Sequence, residues 1–190
     1  MRGGRGSGHT APVHVRREEP ADHDAVRTLH RAAFSRRAVD RQEEVVEARL
    51  TDELRRDVGF LPHLSLVAVR GLPGADQVVV GHVIGTRGWL EPLGVPALGV
   101  GPVGVRPEDQ GTGIGTVLVH SLLAVAEAAG ERVAVLLGAP AFYRRFDFRP
   151  AAELGITAPD PAWGAHFQAR HLTGPPARGA FRYAAPFGDL

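Results

Sequence analysis

The chain contains no cysteine and no lysine. The missing cysteine excludes a disulfide scaffold, a thiolate metal site and a cysteine nucleophile together. It fits a reducing compartment, and a cytoplasmic location is the expectation. The missing lysine excludes a phosphate-binding loop of the Gly-Lys-Ser/Thr type. Charge of one sign is also lacking: the formal net charge is +1. No strong field favours DNA, RNA or an anionic membrane as partner. No apolar run reaches the roughly 18–20 residues needed to span a bilayer. Residues 1–12 are rich in glycine and arginine, lack the apolar centre of a secretory signal, and are expected to form a disordered leader.

What remains fits one domain over residues 13–190, and a hydrophobic fraction of 44% is enough for an ordinary core. Residues 13–17 alternate weakly, as in a short strand. Pro20 and Asp22 offer a helix start, followed by Val26, Leu29, His30 and Ala33 at helical spacing. A second helix is expected over 43–56 and strands over 64–69 and 77–86, with a turn at 71–76. Residues 89–96 read as a loop, and 97–105 as a strand broken by Gly99, Gly101 and Gly104. A helix is expected over 113–129 and a strand buried on both faces over 133–137. A short helix or turn follows at 142–146, with late strands near 166–172 and 180–183. This order predicts a mixed α/β sheet, antiparallel at first, with one crossover through the 113–129 helix.

The segment from Val105 to Thr116 joins a strand to a helix through Gln110-Gly111-Thr112-Gly113-Ile114-Gly115. The first amides of a helix have no internal partner and face the positive end of the helix dipole. A pyrophosphate can sit on them, and Thr116 can add a hydroxyl. A plain tight turn would use the same glycines. A dinucleotide fingerprint reads G-x-G-x-x-G and places an acidic residue at the end of the next strand. Here the spacing is G-x-G-x-G, and Glu131 precedes that strand.

The pattern Gln-x-x-Gly-x-Gly, carried by Gln110, Gly113 and Gly115, resembles the defining motif of the GNAT superfamily of acetyltransferases. The segment Gly138-Ala-Pro140-Ala-Phe142-Tyr143-Arg-Arg-Phe146 resembles the Gly-x-Pro-x-Phe/Tyr-Tyr-x-x-Phe element of a small bacterial branch. Asp147 stands where the wider family usually has glycine. The resemblance implies a GNAT-like fold, a mostly antiparallel sheet of about six to seven strands flanked by about four helices. It implies an N-acetyltransferase that moves an acetyl group from acetyl-CoA, the acyl-donor cosubstrate, to a primary amine by direct attack in a ternary complex. In that family the backbone of Val103, Gly104 and Val105 would bond the pantetheine arm. Gln110, Gly111, Thr112, Gly113, Ile114, Gly115 and Thr116 would hold the pyrophosphate. Tyr143 would protonate the departing thiolate. A non-catalytic acyl-CoA-binding module on the same fold stays open, because fold does not establish activity.

The remaining assignments are each weighed against an ordinary structural role. Tyr143 could be a packed aromatic beside Phe142 and Phe146. Glu91 is the nearest acidic candidate for general base, and equally a solvated loop charge. His82, mid-strand, is a possible base or a satisfied core histidine. Trp89 and Trp163 could shape an acceptor pocket, and Arg144 and Arg145 could meet cofactor phosphate. His166 and His171 are five residues apart, which on a strand puts them on opposite faces, and no metal is expected. The acceptor is a small-molecule or peptide amine of unspecified identity, and the chain is expected to be a monomer or homodimer.

Overall fold

The computed structural model describes residues 11–35, 45–72 and 77–189. Most of the leader expected over 1–12, the start of the helix expected at 43, and most of the turn expected at 71–76 lie outside these. In chain order the elements are β1 (Val13–Arg17), α1 (His23–Phe34), α2 (Val46–Leu54), β2 (Phe60–Arg70), β3 (Val78–Glu91), β4 (Val95–Val105), α3 (Ile114–Ala128), β5 (Val133–Leu137), α4 (Pro140–Tyr143), β6 (Arg149–Pro150), β7 (Ile156–Thr157), β8 (Phe167–His171) and β9 (Gly179–Arg182). The strands form one sheet ordered β1-β2-β3-β4-β5-β8-β6, with β9 joining the end of β3 and β7 pairing β9. β1 to β4 are antiparallel neighbours, and β4 and β5 are parallel through the α3 crossover.

Two expectations are corrected. Residues 89–96 are not a loop: β3 runs to Glu91 and β4 starts at Val95, so only 92–94 turn. The reason is a distant partner. β9 pairs residues 89–91 with 180–182, and Phe181 packs where a side chain at Gly88 would stand. Local turn residues cannot reveal such a partner. Among the described residues the sheet has nine strands, where about six to seven are expected; β6 and β7 hold two residues each, too short for any periodicity to register.

The helices cover the two faces of the sheet. α3 buries Leu118, Val119, Leu122, Leu123 and Ala126 against Leu66, Val80, Val83, Leu98 and Val100. Burying each large side chain there contributes about 1.5–3 kcal/mol. On the opposite face α1 sets Val26 and Leu29 on Val67, Val69 and Val79, and α2 sets Leu50 and Leu54 on Ile84. β5 is buried on both faces: Ala134 and Leu136 join the α3 core, whereas Val133 and Val135 join a second core with Phe167 and Phe181.

Candidate active site: a notch between two parting strands

β4 and β5 pair only at Leu98 with Ala134 and Gly99 with Val135. Beyond Gly99 they part, and β5 continues against β8 while β4 stays on β3. A bulge marks the parting point. Between the pairs Val83/Val103 and Gly85/Val100, two steps along β3 face three along β4. The extra residue falls beside Pro102, which has no N–H for the ladder. A Cβ at Gly101 would meet nothing within 4 Å, so the strand is open there.

The parting leaves one edge of β4 unpaired. Arg106 donates its amide to Val80 at 3.0 Å, so its backbone faces β3. By the alternation of an antiparallel ladder, Gly104 faces β3 as well, and Val103 and Val105 face the notch. Of the three backbone groups expected to hold a pantetheine arm, two therefore point into the gap and Gly104 points away. The Val105 carbonyl already accepts from the Gln110 side chain at 3.1 Å, which ties the glycine loop to the strand end.

That loop is built to leave amides bare. Asp109 is buried and pairs with Arg70 at the end of β2, and its carbonyl accepts from the Thr112 hydroxyl at 2.6 Å. Gly111 and Gly113 take φ of 77° and 91°, which side chains resist. Gly113 is the N-cap of α3, with no side-chain cap and no acidic residue in the first turn. The first intrahelical bond runs from Val117 to the Gly113 carbonyl. The amides of Ile114, Gly115 and Thr116 thus come before any internal partner, at the positive end of a fifteen-residue helix. A helix start bare in this way can take an anion such as phosphate.

The other wall of the notch is the end of β5. A Cβ at Gly138 would lie 2.3 Å from Tyr143 Cε2, so the half-buried Tyr143 ring lies directly on the bare Gly138 backbone. Phe142, Phe146 and Phe148 hold that ring at centroid distances of 4.9, 6.3 and 6.0 Å. Phe142 also reaches across to α3, with Cζ 3.7 Å from where a Gly115 Cβ would be. Arg145 stacks on Phe142 at 4.8 Å, which puts its charge near the start of α3, and Arg144 is exposed. Asp147 has φ of 62°, in the left-handed region that favours glycine.

Glu91 stands apart from this group. It ends β3, is half-exposed and pairs with Arg182 at 3.1 Å. Eight residues of strand, about 26 Å, separate it from Val83, the partner of Val103. Trp89 is half-buried on the same stretch of β3. Trp163 lines a cavity of about 410 Å³ with Phe181, Tyr183 and Phe187. Tyr183 reaches the β4 junction, 3.0 Å from where a Gly99 Cβ would be. His166 is exposed at the end of a short helical turn, and His171 ends β8.

The sequence reading missed a buried polar chain on the α1 face of β2 to β4. His30 Nε2 meets His82 Nδ1 at 2.9 Å, and His82 Nε2 meets the Ser65 hydroxyl at 3.1 Å. Ser65 donates to Glu18 at 2.6 Å, and Arg55 donates to the same carboxylate. Both histidines are fully enclosed. Burial would raise the Glu18 carboxyl, but His82, 3.6 Å away, and the hydrogen bonds from Arg55 and Ser65 outweigh this and hold it below the usual carboxylate range. Burial lowers both imidazoles, helped at His30 by the neighbouring His82 and Arg55. A histidine inside the apolar stripe of α1 was the one local sign. The register of three strands was needed to add the rest.

Residues 14–151 match the family described as "Acetyltransferase (GNAT) domain". The chain is 30% identical over 158 residues to the uncharacterized N-acetyltransferase YhbS of Escherichia coli K12, covering 83% of this chain and 86% of the relative. The fold superposes on the crystal structure of E. coli YhbS in complex with CoA with a TM-score of 0.80, at 26% identity over 96% and 95% of the two chains. It also superposes on a GNAT family acetyltransferase from Brucella melitensis in complex with acetyl-CoA, with a TM-score of 0.73, at 32% identity over 93% and 99%. With its parted strands, bare helix start and matching relatives, this chain belongs to the GNAT family of acetyltransferases.

Proposed function

We propose that this protein transfers the acetyl group of acetyl-CoA to a primary amine inside the β4–β5 notch. The observation that carries the reading is the alignment of two sets of unpaired backbone amides along one wall: Val103 and Val105 on the outward edge of β4, and Ile114, Gly115 and Thr116 at the bare start of α3. The first set suits an amide-bearing arm, and the second suits its pyrophosphate. The complexes of the two structural relatives with CoA and acetyl-CoA support the same donor.

In this reading the Val103 amide polarises the thioester carbonyl, where charge develops during attack. Tyr143, on the opposite wall, gives its hydroxyl proton to the departing sulfur. Gln110 fixes the end of β4, so that the two amide sets keep their spacing. The acceptor's body occupies the aromatic cavity beside Trp163, Tyr183 and Phe187, whose Tyr183 wall adjoins β4 at Gly99. Glu91 lies too far along β3 to reach the carbonyl directly.

The test is a thiol-release assay with acetyl-CoA against a panel of primary amines. Amine-dependent release with formation of the N-acetyl product is the expected outcome. Tight binding of acetyl-CoA with no release for any amine would favour the non-catalytic binding module instead.

A further inference from the structure

We infer that the acceptor is a primary monoamine carried on an aromatic body, and that the cavity beside Trp163 selects it. This rests on the amine-acetylation reading above and names the acceptor class for the same site.

α3 covers one face of the sheet, and the cavity lies on the other. Its rings Trp163 and Tyr183 pack on the core of Val133 and Val135, the β5 side chains that turn away from α3. The two rings come from the two sides of the notch. Tyr183 lies on β4, with Cδ1 3.0 Å from where a Gly99 Cβ would be. Trp163 belongs to the short helical turn Pro161–His166, whose end is bonded to β5: Gly138 donates its amide to the His166 carbonyl at 2.9 Å. Gly99 and Val135 are the last paired residues of β4 and β5, so the sheet opens beside the Tyr183 ring. Gly101, the open point of β4, is about 7 Å further along the strand. A donor seated at the start of α3 and an acceptor in this cavity face each other through the gap.

Four aromatic rings, Trp163, Phe181, Tyr183 and Phe187, line about 410 Å³, a volume in the range of small-molecule sites. Glycines let two of them lie on the bare sheet. Phe181 Cζ is 2.5 Å from where a Gly88 Cβ would be, as Tyr183 is close at Gly99. The rings also brace one another: Tyr183 meets Phe181 at 4.6 Å and Phe187 at 4.5 Å between centroids. Walls set before the ligand arrives lose little freedom on binding. A flat aromatic body gains ring contacts there beyond its burial.

Charge narrows the class further. Among the described residues the one charged side chain in the lining is Arg182, held by Glu91 at 3.1 Å, and no carboxylate lines the cavity. A second ammonium on the acceptor would find only ring faces there, and the Arg182 guanidinium repels it. Polyamines are therefore disfavoured. An acceptor carboxylate would have to compete with Glu91 for Arg182.

The experiment has two arms on the full-length protein. Thiol release at saturating acetyl-CoA compares phenethylamine, hexylamine and hexamethylenediamine, with rates corrected for the fraction of neutral amine. kcat/KM should be about 10-fold higher for phenethylamine than for hexylamine, and lowest for the diamine. Trp163→Ala should shrink the aromatic preference to about twofold or less. Its acetyl-CoA affinity should stay within about twofold. In the second arm the indole N–H signals are followed by NMR as phenethylamine is added to the CoA-bound protein. The Trp163 signal, identified by its loss in Trp163→Phe, should shift, and hexylamine at equal concentration should shift it less. Equal rates for the aromatic and aliphatic amines, or the best rate with the diamine, overturn the inference. So does a Trp163→Ala loss that is the same for all three. Absence of turnover with every amine removes the acetylation reading, whereas an unmoved Trp163 signal removes this inference.

Discussion

Tyr143 and Gly138 act as one unit at the residue scale. The ring lies where a Cβ on Gly138 would be, so Gly138→Ala must push it aside. We expect a loss of about 1–3 kcal/mol in unfolding free energy from the overpacking, with a fall in kcat as the hydroxyl moves. Denaturant titration and thiol release read the two effects separately. Tyr143→Phe keeps the ring stack and removes only the hydroxyl, so kcat should fall about 10²-fold while the acetyl-CoA KM holds. An unchanged kcat would return Tyr143 to a packing role. The resemblance singles out Tyr143 in the sequence, but its packing on Gly138 was not legible there, because side-chain direction at a strand end is invisible to spacing. Asp147 is a smaller case. Its left-handed φ of 62° predicts that Asp147→Gly relieves strain and raises stability by up to about 1 kcal/mol.

In the proposed function β4 carries most of the chemistry, and two of its glycines divide the work. Gly101 opens the strand, and Gly104 admits His30. Gly104→Ala should displace Leu29 and His30 together, lowering thermal stability while leaving the Val103 and Val105 amides in place. Calorimetric titration with acetyl-CoA would then give nearly wild-type affinity, and a large loss of affinity would show that Gly104 itself holds the donor. The glycine-broken strand, the 113–129 helix and the doubly buried 133–137 strand were legible because each is a local pattern: period, cap or apolar run. The ribbon through 89–91 was not, because its partner β9 lies some ninety residues further on. Glu91 was misplaced for the same reason. As a loop residue it could swing toward the site, whereas at the end of a paired strand it is held against Arg182.

Across the whole molecule, the buried histidine chain links stability to pH. Burial holds His30 and His82 below the ordinary histidine value, so the unfolded chain binds protons more readily than the folded one as pH falls below about 6.5. Their contribution is complete above that pH and is lost at up to about 1.4 kcal/mol per pH unit for each ring going down. Glu18 is held below its ordinary value, so its contribution is complete above about pH 4.3 and is lost as pH falls further. Calorimetry should show Tm falling steadily from pH 7 to pH 5, with the fall reduced in His30→Gln. A flat profile would mean that the two imidazoles titrate normally in the folded state. The central claim, however, is the notch. Its most direct test is amide NMR of the nitrogen-15 protein titrated with acetyl-CoA. The Val103, Val105, Ile114, Gly115 and Thr116 amides should shift strongly, and Gly104, bonded across to β3, should shift little. Shifts confined to the aromatic cavity around Trp163, or none along β4, would contradict it.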